Sequence, residues 1–296
     1  MNPSTLARRV FVLGATGTIG QATVRALARR GHEVVCLVRP RAGVAGSLAP
    51  DDSARLLQGA EVRFGDVSDP QSLLRDGFRG ERFHAMVSCL ASRSGAPKDA
   101  WAIDHLANCH ALAAARQSGV SHVVLLSAIC VQKPMLAFQH AKLAFEKVLI
   151  ESGLNYSIVR PTAFFKSLSG QIERVRRGKP FLVFGDGSLT ACKPISDDDL
   201  AEYLAECLED DERRNRVLPI GVLGAAGHWW PMLSQKAELA RIGRYYATES
   251  MLVLNTETGR YDAAATPSTG TQTLFDYYAA LINGAAAPER GDHAVF

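Results

Sequence analysis

The sequence predicts an α/β protein in which an open, doubly wound parallel β-sheet is joined to a smaller C-terminal lobe. Short β-branched runs alternate with amphipathic stretches along the first 160 residues, and this alternation fades after Pro161. Strands that are buried on both faces read as continuous apolar runs, and strand–helix alternation is typical of a parallel sheet covered by helices on both sides. We therefore expect the functional site at the carboxyl edge of the sheet, beneath the lobe.

Six apolar runs are the predicted strands, and longer amphipathic stretches between them are the predicted helices. The strands cover residues 10–13, 34–38, 61–64, 85–89, 123–127 and 156–160, and the helices 19–30, 70–78, 98–118 and 138–152. Beyond residue 161 the pattern predicts a helix over 165–177, a short strand over 181–184 and a helix over 197–208. We expect a sheet domain over 1–160, a lobe over 161–284 and a flexible tail over 285–296.

Composition excludes several classes of protein. Of 296 residues, 47% are hydrophobic and 21% are charged, which excludes disordered and fibrous chains. The net charge of +3 is too small to indicate a nucleic-acid partner, and no apolar run is long enough to span a membrane. The N-terminal residues do not resemble a signal or transit peptide, and the six cysteines form no C-x-x-C pair. These features predict a cytoplasmic protein with reduced thiols and no metal site.

A glycine-rich turn joins the first predicted strand to the first helix. Its glycines are Gly14, Gly17 and Gly20, and the residues between them include Thr16, Thr18 and Ile19. A turn of this kind lets the backbone approach a pyrophosphate, and the free N–H groups of the helix N-terminus then bind it. The spacing G-x-x-G-x-x-G resembles that of the extended and atypical short-chain dehydrogenase/reductases. The loop therefore predicts a Rossmann-type dinucleotide site.

The end of the second strand indicates which dinucleotide binds. A site that prefers NAD places an acidic residue there, whereas this sequence has Arg39, followed by Arg41. A guanidinium suits a 2′-phosphate, so Arg39 predicts NADPH, although a solvated loop arginine is the alternative. Asp66, after the third strand, resembles a residue that contacts adenine in these reductases. It could equally be a turn aspartate that caps the next helix.

Short-chain dehydrogenases carry a serine after the fifth strand and Tyr-x-x-x-Lys on the next helix. Ser127 and Lys142 occupy those positions, but Phe138 stands where the tyrosine would be. Without a phenol, reduction of a carbonyl loses its acid/base group, while hydride transfer to a carbon–carbon double bond stays possible. Lys142 would hold the nicotinamide ribose, with an ordinary surface lysine as the alternative, and Ser127 could equally be a strand-end cap. Arg160 and Pro161 resemble a turn that flanks nicotinamide. No hydrolase elbow, zinc-protease motif or Walker loop occurs.

Longer strings resemble one family within this group. They are Cys89–Asp104, Leu125–Pro134, Ile158–Ser167, Phe184–Ser196 and Arg244–Met251. Together they are similar to the NADPH-dependent divinyl chlorophyllide a 8-vinyl-reductases of chlorophyll and bacteriochlorophyll synthesis. The resemblance implies reduction of the 8-vinyl group of divinyl chlorophyllide or protochlorophyllide to ethyl. It also implies a flat tetrapyrrole substrate between the nicotinamide and the lobe, with Trp101, Phe164, Phe165 and Phe184 as candidate stacking surfaces and Lys166 or Lys193 as candidate partners of its carboxylate.

One stretch departs from that family. Residues 222–235 pass directly to the Lys-Ala-Glu-Leu-Ala-Arg segment and are shorter than the family's pattern, so part of the lobe is missing or replaced. Trp229 and Trp230 lie within it. Two other functions stay open on the residues alone. The chain could be a non-catalytic NADP(H)-sensing regulator that lacks the tyrosine, or an isoflavone-reductase-like enzyme that reduces another conjugated double bond.

Overall fold

The main body of the protein is one parallel sheet of seven strands in the order β3-β2-β1-β4-β5-β6-β7. The computed structural model describes residues 7–40, 49–168, 175–180, 190–221 and 237–283. The strands are β1 Arg9–Leu13, β2 Glu33–Val38, β3 Ala60–Phe64, β4 Ala85–Ser88, β5 His122–Leu126, β6 Asn155–Pro161 and β7 Arg216–Ile220. This order confirms the predicted doubly wound, Rossmann-type fold. Successive strands are added in one direction from β1 to β3 and in the other direction from β4 to β7, so the topological switch point lies between β1 and β4.

Helices cover both faces of this sheet. They are α1 Thr18–Arg29, α2 Pro50–Leu56, α3 Pro70–Ser72, α4 Pro97–Ala100, α5 Asn108–Gln117, α6 Ala137–Glu151, α7 Phe165–Leu168, α8 Asp197–Glu206, α9 Ala237–Thr248 and α10 Leu274–Ile282. Wide π-helical turns, Leu73–Phe78 and Trp101–Ala107, continue α3 and join α4 to α5. The hairpin β8 Val253–Asn255 and β9 Arg260–Asp262 lies in the C-terminal part.

The predicted strands agree with the observed ones to within one residue at each end. The reason is burial: β4 and β5 are buried along their whole length, and β1 along all but its first residue. Apolar side chains on the two faces form separate cores. One core, between the sheet and α1 and α8, includes Val10, Val12, Leu27 and Leu204. The other, under α5 and α6, includes Phe11.

The sheet extends past the expected boundary at residue 160. β7 pairs in parallel with β6, so that Ile158 faces Val217 and Pro161 faces Ile220. The helix α8 then packs on α1, and Arg30 of the α1–β2 turn binds the carboxylates of Glu202 and Glu209 at 2.9 and 2.7 Å. Segments on both sides of residue 160 therefore share one core, and β7 pairs with the backbone N–H and C=O groups along the edge of β6. The division into a domain and a lobe stays a prediction.

Some predicted features lie outside the described residues. They are Arg41, the strand over 181–184 with Phe184, the shortened stretch 222–235 with Trp229 and Trp230, the middle of the helix over 165–177, and the tail over 285–296. The six cysteines are all described and are free thiols, four of them buried. Among the described helices, none combines the length and apolar character needed to cross a membrane.

Candidate functional site

The glycine loop follows β1 at the carboxyl edge of the sheet. Gly14 has φ +73°, and a Cβ there would lie 2.5 Å from the carbonyl oxygen of Cys89, so a side chain is excluded. A Cβ on Gly20 would overlap the carbonyl oxygen of Gly14. Gly17 is the N-cap residue of α1, and a Cβ there would lie 3.4 Å from the carbonyl oxygen of Gly14, an ordinary contact distance. The loop is therefore packed tightly underneath and open at Gly17, where an anion would meet the helix N-terminus.

Lys166 lies against this loop. Its ammonium donates to the hydroxyl of Thr18, the first residue of α1, and to Oδ2 of Asp197 at 3.2 Å. It also lies 5.0 Å from the centroid of the Phe164 ring. Burial lowers the pKa of Lys166, and the Asp197 carboxylate partly opposes that shift. The residue predicted to meet a substrate carboxylate thus lies where a pyrophosphate would bind.

A second cationic group lies beside Arg39. Arg39 is exposed at the end of β2, and Arg93 is exposed in the loop that follows β4. Partial burial of the Arg93 guanidinium lowers the pKa of Arg93, the charge of Arg39 lowers it further, and the Asp99 carboxylate opposes the shift. The charges of Arg39 and Arg93 are therefore close enough to repel each other. Two neighbouring guanidiniums suit a doubly charged phosphate. Arg93 could not be identified from the sequence. Its loop follows β4, and only the order of strands in the folded sheet, β2-β1-β4, brings that loop close to the end of β2.

Asp66 makes a local turn. Its Oδ1 accepts a hydrogen bond from the N–H of Ser68 at 2.8 Å, and the side chain is exposed. The cap of the following helix is Asp69, which accepts from the N–H of Gln71 at 2.9 Å. Asp66 is therefore a turn aspartate, but it does not cap the following helix, because Asp69 does. The expected contact with adenine stays a prediction.

Lys142 is held by a buried carboxylate. It lies one helical turn after Phe138, which is fully buried, and its Nζ is 3.0 Å from Oδ1 of Asp104. The N–H of Ser92 also donates to Oδ1, at 3.3 Å. Within the described part of the chain, Oδ2 of Asp104 is buried and has no hydrogen-bond partner. Asp104 lies on the π-helical turn Trp101–Ala107, and no spacing in the sequence pairs it with Lys142.

Ser127 also has a buried acidic partner. Its hydroxyl donates to Oε1 of Glu146 at 2.5 Å, and Glu146 is 2% exposed. The guanidinium of Arg160 binds the same carboxylate through Nε at 3.2 Å and through Nη2. This network joins the ends of β5 and β6 to α6. The polar side chains of two predicted site residues, Ser127 and Arg160, are therefore engaged with Glu146, which the sequence analysis did not single out.

A small apolar cavity lies at the carboxyl ends of β5 and β6. Its volume is about 30 Å³, and its walls come from the β5 end, the β6 end and the C-terminal part of the chain. The lining residues include Ala128, Cys130, Pro161, Phe164 and Tyr246. Ligands of open parallel sheets bind outside the carboxyl ends of the strands, and this cavity lies at that edge of the sheet.

The candidate aromatic surfaces differ in exposure. Trp101 is 45% exposed and contacts the ring of His105 edge-on, with centroids 5.4 Å apart. Phe164 is 9% exposed and lines the cavity. Phe165 is 2% exposed and packs in the core against Tyr277, so it offers no face to a ligand. Across the described ranges, no group of three or more His, Cys, Asp or Glu side chains could hold a metal ion.

Comparison with known proteins agrees with this geometry. Residues 14–211 match the NAD(P)H-binding family. The fold resembles that of UDP-glucose 4-epimerase from Thermotoga maritima, with a TM-score of 0.62 and 19% identity, over 84% of this chain and 91% of that one. It also resembles AtPrR2 with NADP+ and (+)-pinoresinol, with a TM-score of 0.58 and 20% identity, over 83% and 78% of the two chains. The chain therefore belongs to the NAD(P)H-binding family and has a Rossmann-type fold.

Comparison with curated sequences identifies a narrower family. Divinyl chlorophyllide a 8-vinyl-reductase, chloroplastic, from Zea mays is 44% identical over 97% of this chain and 82% of that protein. The chain belongs to the divinyl chlorophyllide a 8-vinyl-reductase family, as the sequence resemblance predicted. The alignment spans 331 positions, more than the 296 residues of this chain, so that relative carries residues which this chain lacks.

Proposed function

We propose that this chain is an NADPH-dependent reductase that converts the 8-vinyl group of divinyl chlorophyllide a or protochlorophyllide a to an ethyl group. The observation that carries the proposal is the 44% identity to a reductase of that name along 97% of the chain. Under this proposal the protein acts in chlorophyll or bacteriochlorophyll synthesis, in the cytoplasm of a bacterium. Its partner is then a small-molecule tetrapyrrole.

The residues at the site suit reduction of a carbon–carbon double bond. A carbonyl reductase with the short-chain dehydrogenase motif uses the phenol of its Tyr-x-x-x-Lys tyrosine to protonate the carbonyl oxygen, and the buried ring at position 138 has no hydroxyl. A vinyl group that is conjugated with a macrocycle can accept a hydride without such help, because the macrocycle delocalises the charge. The cavity beyond β5 and β6 is lined mostly by apolar side chains, which suits a hydrophobic group, but its volume of about 30 Å³ is far too small for the whole macrocycle.

The site residues take the following roles in this proposal. The backbone of the loop that contains Gly14, Thr16, Gly17, Thr18, Ile19 and Gly20 binds the pyrophosphate of NADPH. NADPH supplies the hydride when it is bound. Arg39 and Arg93 bind its 2′-phosphate, and Asp66 lies at the adenine end. The Lys142 ammonium, oriented by Asp104, binds the ribose hydroxyls beside the nicotinamide.

The remaining predicted residues shape the nicotinamide half. Pro161 forms part of the cavity wall, while Ser127 and Arg160 hold the ends of β5 and β6 in register through Glu146. Trp101 and Phe164 are the aromatic surfaces that a macrocycle could reach. Lys166, because of its contact with Thr18, is assigned to the pyrophosphate of the dinucleotide rather than to the substrate.

The test is a spectroscopic assay with purified protein, NADPH and divinyl chlorophyllide a. Loss of one conjugated double bond shifts the Soret band to the blue, and mass spectrometry of the pigment should show the gain of two hydrogens. Omission of NADPH is the control. NADPH binding without any change in the pigment would favour the non-catalytic sensor, and reduction of another conjugated substrate alone would favour the isoflavone-reductase-like enzyme.

A further inference from the structure

A phenol reaches the cavity from a part of the chain that the short-chain dehydrogenase motif does not include. Tyr246, on α9, is 5% exposed and forms part of the cavity wall. Its hydroxyl donates a long hydrogen bond, 3.8 Å, to Sγ of Cys130 in the short helical turn that follows β5. The opposite wall consists of residues that end β6 and follow it, among them Pro161 and Thr162. The hydroxyl is therefore near the cavity at the carboxyl edge of the sheet.

Tyr246 also belongs to the same packed cluster as the residue that replaces the usual tyrosine. Phe138, Cys130 and Tyr246 lie in one apolar core, with Ile242 one turn earlier on α9. The positive charge of Lys142 acts on the Cys130 thiol, whose Sγ is near the Tyr246 hydroxyl. Helix α9 thus places a phenol in the same apolar cluster as Phe138, which stands where short-chain dehydrogenases have their tyrosine.

The proposed reaction needs one proton that no assigned residue provides. When a hydride adds to the terminal carbon of the vinyl group, the π electron pair moves to the carbon bonded to the macrocycle. That carbon must then gain a proton to become the CH₂ of the ethyl group. Ser127 donates its own hydrogen to Glu146, and Lys142 is paired with Asp104. Both groups are thus engaged by carboxylates, whereas the Tyr246 hydroxyl donates to a thiol sulfur, a weak acceptor, on a residue that also lines the cavity.

We propose that the Tyr246 hydroxyl donates this proton and is therefore a catalytic residue for the reduction; the inference rests on the proposed function. The Tyr246 O–H bond breaks, a C–H bond forms at the carbon next to the macrocycle, and the phenolate that remains takes a proton from water. Charge and atoms balance, since the hydride and the proton together add two hydrogens.

The environment keeps this phenol protonated until it is used. Burial raises the pKa of Tyr246 well above its ordinary value, and the neighbouring Cys130 adds to that shift. A proton donor must hold its proton at the working pH, and a hydroxyl at the edge of an apolar cavity does so at neutral pH. The carbanion that follows hydride addition is a stronger base than a phenolate even with its charge delocalised over the macrocycle, so it can still take the proton.

The adjacent tyrosine is a matched control. The Tyr245 hydroxyl donates to the carbonyl oxygens of Cys130 at 2.9 Å and Lys133 at 3.1 Å, so its hydrogen is already shared between two backbone acceptors. Tyr245 is 4% exposed, close to the value for Tyr246, but it does not form part of the cavity wall. Removing its hydroxyl removes a structural contact of the lobe and leaves the proton donor in place.

The experiment compares Tyr246→Phe and Tyr245→Phe with the wild-type protein. We measure kcat for reduction of the vinyl group in H₂O and D₂O, the Kd for NADPH by fluorescence titration, and the thermal midpoint. For Tyr246→Phe we expect kcat to fall about 100-fold or more, because general acid catalysis contributes about that much. We expect Kd to stay within about two-fold and the solvent isotope effect on kcat to increase, since water must then protonate the carbanion. Tyr245→Phe should keep kcat within about three-fold.

The outcomes separate this inference from the proposed function. Wild-type protein that binds NADPH but does not reduce the vinyl group would refute the proposed function, and the inference with it. Active wild-type protein together with a Tyr246→Phe variant of equal kcat would refute the inference alone. So would a loss confined to KM or to the Kd for NADPH, and so would equal losses in the two tyrosine variants.

Discussion

The ammonium of Lys142 and the carboxylate of Asp104 form a buried ion pair with a Nζ–Oδ1 distance of 3.0 Å. Their side chains are 10% and 0% exposed, and they come from different helical segments. The lysine that the sequence motif marks as a ribose ligand is therefore not a mobile surface group. Its position is set by an acidic residue that also accepts a hydrogen bond from the Ser92 N–H, in the loop after β4.

This pair predicts a stability cost that can be separated from a catalytic cost. Lys142→Met leaves the Asp104 carboxylate buried without its cation, which should lower the free energy of unfolding by about 3–5 kcal/mol. The double variant Lys142→Met/Asp104→Asn removes both charges and should recover most of that loss in urea unfolding. It should still show weak NADPH binding and low turnover. Recovery of turnover in the double variant would remove Lys142 from the site.

The glycine loop predicts two different effects of the same substitution. Gly20→Ala places a Cβ on the carbonyl oxygen of Gly14 and should lower the thermal midpoint strongly. Gly17→Ala meets Gly14 only at 3.4 Å and has φ −74°, so the fold should survive. The Gly17 variant should nevertheless bind NADPH at least about ten-fold more weakly, because the methyl group lies where the phosphate approaches. Calorimetry and NADPH titration measure both effects, and equal affinity would contradict the loop's assignment.

The cofactor preference predicts a selective loss. Arg39→Gln should weaken NADPH binding about ten-fold or more, the value of one charge-assisted hydrogen bond, and leave NADH binding unchanged. Arg93→Gln should act in the same direction. Arg55→Gln, an exposed arginine on α2 paired at 3.7 Å with Asp52, is the control. Equal losses for NADPH and NADH in the Arg39 variant would rule out a 2′-phosphate site.

For Lys166 we expect no discrimination between NADPH and NADH. Because its ammonium meets Thr18 at the N-terminus of α1, Lys166→Gln should weaken NADPH and NADH binding by the same factor. Both dinucleotides share the pyrophosphate, whereas only one has the 2′-phosphate. Titration with each dinucleotide checks this, and turnover at saturating NADPH should be close to that of the wild type. A raised KM for the pigment with unchanged NADPH affinity would return Lys166 to the substrate.

His122 predicts sensitivity to acid. It is 3% exposed and lies 3.0 Å from the Ser157 hydroxyl. Burial, assisted by Arg214 and Arg8 and opposed by Asp211, lowers the pKa of His122 from 6.5 to about 4. The unfolded chain then binds the proton more tightly, so this residue should reduce stability as the pH falls from 6.5 to 4.

The free energy of unfolding should fall by about 3 kcal/mol between pH 6.5 and pH 4 because of His122, since each unit of pKa difference between the folded and unfolded states corresponds to about 1.4 kcal/mol. Urea unfolding at several pH values measures it. His122→Gln should flatten the pH dependence over this range, while His140→Gln, at an exposed position, should leave it unchanged. A His122 variant with the wild-type slope would show that other groups cause the acid sensitivity.

Prediction from the sequence succeeded where local pattern decides the structure. The six strands of the first half are runs of apolar residues buried on both faces, so their ends could be located to within one residue. The glycine loop was equally visible, since a positive φ at Gly14 and the close approach of Gly20 both require glycine. In the second half the helix over 197–208 was also predicted, and it is observed as α8 Asp197–Glu206. The strand β7 was not among the six predicted strands, because it is recognisable only through its pairing with β6.

The sequence by itself determined the fold class, the dinucleotide loop, the arginine after β2 and the family, because each depends on residue types at short, regular spacing. Only the tertiary structure decided which side chains meet. Asp104 reaches Lys142, Glu146 reaches Ser127 and Arg160, and Tyr246 reaches the cavity wall. These partners come from helices far apart in the chain, and their meeting depends on how those helices pack on the sheet, which no local spacing records.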